Sequence, residues 1–248
     1  MSGSRAREER EERIKKLKEQ WKAEERRGKR KKYTIMTIII VAIVGLVVAG
    51  GLGIKHMAEA EKDTQARELP MTQPYLEFGA TTDDAPVVDV YLDFMCPGCG
   101  AFHQVNGSDV DRLVKDKDIQ LRIHPRNFMD VNSTNKYSTR ATNAFATVYE
   151  DENPHVALKF HDLLFENQPE EGSAGLSDKQ IGDLAKKAGA SDATVQDIKK
   201  DRYVDWVNDV VEKDANENAP GGTPAVFVNG KMIENWNEAG AFKDAVKK

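Results

Sequence analysis

The chain has 248 residues, a formal net charge of −5 and 40% hydrophobic residues, which suffices for one well-packed domain and additional segments. The charge is uneven, because residues 1–33 carry fourteen Lys/Arg against seven Asp/Glu and leave the remainder strongly acidic. An acidic body argues against nucleic acid as a partner, and a basic tail favours a segment on one side of a membrane.

Residues 34–54 form an uncharged apolar run that is long enough to cross a bilayer as a single helix. Basic residues cluster directly before this run and are sparse after it. The positive-inside rule therefore predicts a cytoplasmic segment at 1–33, a transmembrane anchor at 34–54 and an extracytoplasmic body that begins with a linker at 55–73. A cleavable signal peptide is the alternative, since Ala58-Glu59-Ala60 resembles a cleavage site, but its apolar run would be shorter.

Beyond the linker, the first half of the body alternates between strand and helix patterns. Apolar and β-branched residues predict a short strand at 75–78, a central strand at 87–94 and another strand at 119–124, with a turn at 81–86. A helix is predicted after residue 100. We expect Asn106-Gly107-Ser108 to interrupt that helix, because Asn-Gly can end one helix and Ser108 can cap the next.

The second half is predicted to be helical from 133 to 217, with a hairpin and a last helix after it. Ser177 and Gln180 form a capping box, Gly189 ends that helix, and a further helix is predicted at 192–214. The residues expected to face the core are Ala141, Ala144, Phe145, Val148, Val156, Phe160, Leu163, Leu164, Ile181, Leu184, Ala188, Tyr203 and Trp206. Asn229-Gly230 predicts a hairpin within 225–233, and 237–247 a closing helix with Ala241, Phe242 and Val246 inward.

The two cysteines of the chain lie at the junction between the central strand and the helix that follows it. Cys96 and Cys99 flank Pro97 and Gly98. Proline is favoured at the first helical position, which predicts Cys96 as the N-cap, where free N–H groups and the helix dipole stabilise a thiolate. Such thiolates have pKa values of roughly 3.5–7.5 and attack disulfides. Cys96 is therefore the predicted nucleophile and Cys99 the resolving thiol.

Two other interpretations of the cysteine pair are less favourable. A structural disulfide across two residues closes too small a loop to add much stability. A structural zinc site normally needs four ligands, and only His103 and the remote His124 could join the sulfurs. We therefore expect redox chemistry at this site, with neither a metal nor a cofactor, and expect both histidines to be surface residues or residues with satisfied hydrogen bonds.

The order of these parts resembles the thioredoxin superfamily, and the helical insertion resembles the DsbA-like thiol–disulfide oxidoreductases. Residues 91–99 are similar to the membrane-anchored versions in Gram-positive (actinobacterial) species, and Thr223-Pro224 stands ahead of the hairpin as in that family. The resemblance implies an α/β thioredoxin fold formed by 74–130 and 218–248, with an all-helical subdomain at 131–217, preceded here by the single transmembrane helix.

The resemblance also implies roles for individual residues. In that family the proline matching Pro224 is cis and packs beside the cysteines, and the backbone of the preceding residue, here Thr223, pairs with the substrate chain. Pro97 and Gly98 would contact the substrate as well. The alternative for Pro224 is that it merely starts an edge strand.

Two positions near the cysteines call for separate hypotheses. DsbA-type oxidases often have histidine before the second cysteine, whereas this chain has Gly98. We therefore expect a weaker oxidant, with a higher Cys96 pKa than the value of about 3.5 known for DsbA. Asp93 lies in an otherwise apolar strand. It is either a buried acid that accepts the Cys99 proton or a side chain that points to solvent.

Together these features predict an extracytoplasmic thiol–disulfide oxidoreductase that oxidises thiols of exported proteins. Its expected partners are those proteins, the lipid bilayer and a membrane redox partner that reoxidises the site. A reductase or isomerase with the same site is the first alternative, because the sequence does not set the reduction potential. A tethered metal-binding or chaperone module is the second.

Overall fold

The structure is a computed structural model that describes residues 71–238 and 240–247. The predicted cytoplasmic segment, the predicted anchor at 34–54 and most of the linker lie outside the described residues. Among the helices that are described, none combines the length and the apolar character that a membrane crossing requires.

A mixed β-sheet forms the centre of the described part. Its strands are β1 (Leu76–Gly79), β2 (Val87–Leu92), β3 (Gln120–Pro125), β4 (Ala225–Val228) and β5 (Lys231–Met232), in the spatial order β1-β3-β2-β4-β5. β2 and β3 pair in parallel, and the other pairs are antiparallel. β2 is the central strand, so the Cys96–Cys99 motif that follows its C-terminal end lies in the middle of one end of the sheet.

Helix α1 (Pro97–Lys115) follows β2 and runs without a break through Asn106-Gly107-Ser108. The predicted interruption is wrong. The buried Asn106 side chain donates its amide hydrogens to the carbonyls of Phe102 at 3.3 Å and Trp236 at 3.0 Å, so it fastens the helix instead of ending it.

Helical structure fills the chain between β3 and β4. It begins with a 3₁₀ turn (Phe128–Asn132) and continues with α2 (Tyr137–Asp151), α3 (Pro154–Glu166), α4 (Asp178–Ala188), α5 (Asp192–Asp197), a second 3₁₀ turn (Ile198–Lys200), α6 (Val204–Trp206), a π-helical turn (Val207–Val211) and α7 (Glu212–Asn218). The capping box at Ser177 and the left-handed Gly189 end of α4 are confirmed. The apolar faces predicted for these helices lie in the core, apart from the half-buried Leu184.

The continuous helix predicted at 192–214 is wrong. The chain leaves the helical conformation at Asp201, which has a φ of 51°. Aspartate is one of the few residues that visit this left-handed region, so a helical periodicity in the sequence does not reveal the break. Tyr203 and Trp206 are nevertheless buried, as predicted.

The end of the helical region is joined to the sheet by a buried ion pair. Arg126, directly after β3, is 2% exposed and donates to the Glu212 carboxylate at 2.8 and 3.3 Å and to the Ala219 carbonyl at 3.2 Å. These hydrogen bonds to the Glu212 carboxylate and the Ala219 carbonyl offset the free-energy cost of burying the Arg126 charge.

The C-terminal hairpin has the predicted turn. Asn229 and Gly230 have φ angles of 49° and 75°, which suit the type I′ turn of a two-residue loop. The last helix, α8 (Ala241–Val246), is shorter than predicted because Gly240 takes a left-handed conformation at its start. Phe242 and Val246 are buried as predicted, whereas Ala241 is half-buried.

Candidate active site

Cys96 caps the N-terminus of α1, and Pro97 occupies its first turn, as predicted. The backbone N–H groups of Cys99 and Gly100 donate to the Cys96 carbonyl at 3.0 and 3.2 Å and close that turn. The Cys96 thiol donates to the carbonyl of Thr223 at 3.3 Å. The free thiol thus lies between the start of a helix and the loop ahead of β4.

The two sulfurs differ strongly in their electrostatic environment. The hydrogen bond from the Cys99 thiol, together with Thr223 and the N–H groups of Cys99 and Gly98, lowers the pKa of Cys96 to about 6, against the opposing effect of burial. Burial raises the pKa of Cys99, and the neighbouring Cys96 raises it further. Cys96 is therefore the thiolate at neutral pH and Cys99 the protonated partner, and the Cys96 value lies above the one known for DsbA.

The loop at Thr223-Pro224 packs directly on the cysteine motif. The peptide bond between these residues is cis. A Cβ built on Gly98 would lie 2.9 Å from Cδ of Pro224 and 3.7 Å from the Cys96 sulfur, so the absence of a side chain at Gly98 permits the close approach. β4 pairs with β2 and β5 on its two sides, and the edge-strand interpretation of Pro224 is wrong. Pro97 is exposed beside this loop.

Asp93 is fully buried beneath the motif, so the interpretation that it points to solvent is wrong. Its carboxylate accepts hydrogen bonds from the N–H groups of Met95 and Met129, both at 2.8 Å, and from the Ser138 hydroxyl at 2.7 Å. Its own backbone N–H donates to the Cys99 sulfur at 3.4 Å. Burial raises the pKa of Asp93 to about 7 despite these donors, which gives a buried acid that titrates near neutrality next to the resolving thiol.

His124 and His103, the two histidines that could have joined the sulfurs in a metal site, make their contacts elsewhere. His124 is buried, with Nε2 at 3.1 Å from Asp89 Oδ1 and Nδ1 at 3.2 Å from Asp214 Oδ2. His103, on α1, lies near His161 and Asp162 of α3.

Sequence reasoning missed Gln168, which follows α3. Its side-chain amide donates to the carbonyls of Phe94 at 3.2 Å and Cys96 at 2.9 Å, and so holds both ends of the turn that carries the nucleophile. It also missed Ser138 and Met129 as partners of Asp93. Gln168 follows a helix, whereas Ser138 lies within α2 and Met129 within the first 3₁₀ turn, and no local pattern marks any of the three. Only the docking of the helical region brings them to the site.

Comparisons with known proteins agree with this geometry. Residues 79–248 match the family model described as Thioredoxin. The chain is 29% identical over 170 residues to disulfide bond formation protein D of Bacillus subtilis, covering 67% of this chain and 73% of that protein. It is 32% identical over 159 residues to the serine/threonine-protein kinase PknE of Mycobacterium tuberculosis, of which it spans only 28%.

Solved structures give the same result. The reduced disulfide bond oxidoreductase DsbG of Mycobacterium tuberculosis matches with a TM-score of 0.61 and 26% identity, covering 71% of this chain and 88% of that one. Oxidised DsbA of the same organism matches with a TM-score of 0.61 and 26% identity, covering 70% and 91%. With the site geometry and the family match together, the chain belongs to the thioredoxin family, among its DsbA-like members.

Proposed function

We propose that this protein is a thiol–disulfide oxidoreductase that oxidises the thiols of exported proteins at the outer side of the membrane. The observation that carries the proposal is the unequal pair of sulfurs. Cys96 has a pKa of about 6 and faces the Thr223 carbonyl, while the pKa of the buried Cys99 is raised. A thiol with a low pKa is a good leaving group in thiol–disulfide exchange, and this favours transfer of the disulfide to a substrate.

The oxidation begins with a disulfide between Cys96 and Cys99. A substrate thiolate attacks the Cys96 sulfur, a mixed disulfide forms, and Cys99 leaves with the electron pair of the broken bond. A second substrate thiolate then attacks the substrate sulfur of the mixed disulfide. Cys96 leaves as a thiolate, the substrate gains a disulfide, and two electrons remain on the enzyme's dithiol.

Asp93 supplies the proton that this sequence needs. When Cys99 leaves, its buried thiolate requires protonation, because burial raises its pKa. The Asp93 carboxyl, with a pKa of about 7, is protonated in a large fraction of molecules at neutral pH. A group whose pKa lies near the working pH can both donate and accept a proton. Asp93 protonates Cys99 during oxidation of substrate and accepts that proton when the site is reoxidised.

Substrate capture would use the loop beside the nucleophile. Thr223, Pro224, Pro97 and Gly98 surround the Cys96 sulfur, and the first two are half-buried while Pro97 is exposed. An extended peptide can add to main-chain groups of this kind, which would align its cysteine with Cys96. The basic segment and the apolar run at 34–54 support a single-pass anchor with a cytoplasmic N-terminus, and a membrane partner that reoxidises the dithiol.

The Cys96 pKa also favours a second candidate, a reductase or isomerase with the same site. A value of about 6 lies between those of DsbA, about 3.5, and thioredoxin, about 7. Thiolate stabilisation is therefore weaker here than in the strongest oxidants. The reduction potential decides between the two directions: a value near −120 mV would support the oxidase and one near −270 mV the reductase.

The test combines that potential with a refolding assay. The full chain, purified in a mild detergent, is equilibrated with glutathione buffers to measure the potential, and the oxidised form is added to reduced ribonuclease. We expect recovery of ribonuclease activity without added metal, and loss of it in Cys96→Ser but not in Asp84→Asn, which changes an exposed turn residue. Recovery that is equal with Cys96→Ser would refute the oxidoreductase, and would favour a chaperone or metal-binding module.

A further inference from the structure

A cluster of two imidazoles and a carboxylate lies between α1 and α3, one helical turn beyond Cys99. Nδ1 of His161 is 3.1 Å from Oδ1 of Asp162, and Nδ1 of His103 is 3.9 Å from the same oxygen. One ligand atom from each of the three side chains lies within 4.8 Å of the others. These residues take no part in the proposed exchange reaction.

The spacing of these atoms fits a tetrahedral metal ion. Zinc binds histidine nitrogens at 2.0–2.1 Å, so two ligand atoms of a tetrahedral site lie about 3.3 Å apart. The observed separations of 3.1 and 3.9 Å lie on either side of that distance. The separation between His103 and Asp162 exceeds the tetrahedral value by about 0.6 Å.

The surroundings hold the two rings in place. His161 has its ring centroid 5.0–5.8 Å from the rings of Phe165, Phe145 and Phe94, and its Nε2 atom is buried without a hydrogen-bond partner among the described residues. His103 stacks on Phe165 at 5.2 Å with an interplanar angle of 21°. A preorganised ligand loses little conformational entropy when it binds an ion.

Space and charge at the cluster also suit a cation. A Cβ at Gly107 would lie 3.1 Å from Nδ1 of His103, so this glycine leaves the nitrogen open. A cavity of about 30 Å³ beside the three side chains has room for a water molecule as a fourth ligand.

The carboxylates of Asp111 and Glu166 act electrostatically on Asp162 and His103, respectively, and add negative charge around the cluster.

We propose that His103, His161 and Asp162 bind one divalent transition-metal ion of the zinc class, which links α1 to α3. Imidazole nitrogen with a single carboxylate selects Zn²⁺, Co²⁺, Ni²⁺ or Cu²⁺ over Ca²⁺ and Mg²⁺, which prefer oxygen ligands. The ion fastens the helix that begins with the active-site motif to a helix of the insertion. With three protein ligands and one water, the affinity is lower than that of a four-ligand structural zinc site.

The test uses the full chain, without a histidine tag and in its disulfide form, so that the cysteine thiolates cannot bind metal. After treatment with a chelator, the protein is titrated with Zn²⁺ by calorimetry and with Co²⁺ by visible absorption. We expect one ion per chain, the intense visible bands of tetrahedral Co²⁺, and a rise of several degrees in the unfolding temperature at saturating Zn²⁺.

Three variants separate this site from non-specific binding. His103→Gln and Asp162→Asn should each weaken binding by about tenfold or more and remove the Co²⁺ bands, by analogy with the cost of disturbing a metal's supporting shell. His155→Gln changes an exposed histidine of α3, the helix that carries Asp162. It should leave the metal affinity and the Co²⁺ bands unchanged. Circular dichroism of the metal-free variants checks that they are folded.

Two outcomes would overturn the proposal. One is a disulfide-form protein that takes up no Zn²⁺ or Co²⁺. The other is binding that persists with unchanged affinity in folded His103→Gln and Asp162→Asn. In the first case, binding that appears only after reduction would place the ion on the cysteines. Neither result affects the proposed exchange activity, which is measured without metal.

Discussion

Replacing Asp93 by asparagine should abolish a pH dependence of stability that this buried carboxyl imposes. Burial raises its pKa from 3.8 to about 7 in the folded protein. A shift of about three units at 1.36 kcal/mol per unit corresponds to about 4 kcal/mol. Between these two pKa values the folded state binds more protons than the unfolded state, so the unfolding free energy falls as the pH rises. The wild type should therefore lose about 4 kcal/mol between pH 4 and pH 8 through this residue.

The variant should behave oppositely at the two ends of this range. Asparagine cannot ionise, but its NH₂ group would replace one carboxylate oxygen. That group donates and cannot accept, so the Met129 N–H or the Ser138 hydroxyl would lose its acceptor. An unsatisfied buried group costs about 1–3 kcal/mol at any pH. Asp93→Asn should therefore be less stable than the wild type near pH 4 and more stable near pH 8.

The assay is chemical denaturation of the full chain in its disulfide form at a series of pH values. In the disulfide form, Cys96 and Cys99 do not titrate. Subtracting the unfolding free energy of the wild type from that of the variant at each pH removes the contribution of the carboxylates that both proteins share. Asp84→Asn, in the exposed turn before β2, is the matched control and should give a flat difference. If the difference curve of Asp93→Asn is also flat, the assignment of a raised pKa to Asp93 is wrong.

Three further predictions concern the motif itself. The rate of alkylation of the reduced protein should follow an apparent pKa of about 6 at Cys96. Cys99→Ala should raise that pKa, because the hydrogen bond from the Cys99 thiol is the main cause of its lowering. An unchanged pH profile in this variant would contradict the assignment. Gln168→Ala should lower the unfolding free energy by about 1–3 kcal/mol in urea denaturation, since two carbonyls lose their donor, and a loss below the experimental error would show that water replaces it. Gly98→Ala should slow exchange with a model disulfide, because the added methyl group displaces Pro224, although alanine favours the helix itself. Exchange at the wild-type rate would exclude this steric role.

The sequence was most informative where one residue type imposes a local conformation. Pro97 defined the start of α1, and Asn229-Gly230 defined the turn of the hairpin, because each follows from the backbone preferences of a few neighbouring residues. The cis bond before Pro224 followed from the family resemblance, and the structure confirms it.

The partners of the site could not be predicted in this way. The environment of Asp93 depends on Met129 and Ser138, which approach it only when the helical region packs against the sheet. Asn106-Gly107-Ser108 predicts an interruption of α1, because Asn-Gly can end one helix and Ser108 can cap the next. The structure shows what the sequence could not, namely that the space left by the missing side chain of Gly107 is beside Nδ1 of His103.

The hydrogen bonds around the motif also set an order of events during synthesis. Both sulfurs and Asp93 are made before residue 100, yet three of the groups that hold the motif and Asp93 come from residues 45 to 127 positions further along the chain. A growing chain therefore exposes its thiols long before the Ser138 hydroxyl, the Gln168 amide or the Thr223 carbonyl exists. The redox centre is therefore completed only after Thr223 has been made, and a product truncated before Thr223 would contain both cysteines without the arrangement that distinguishes them.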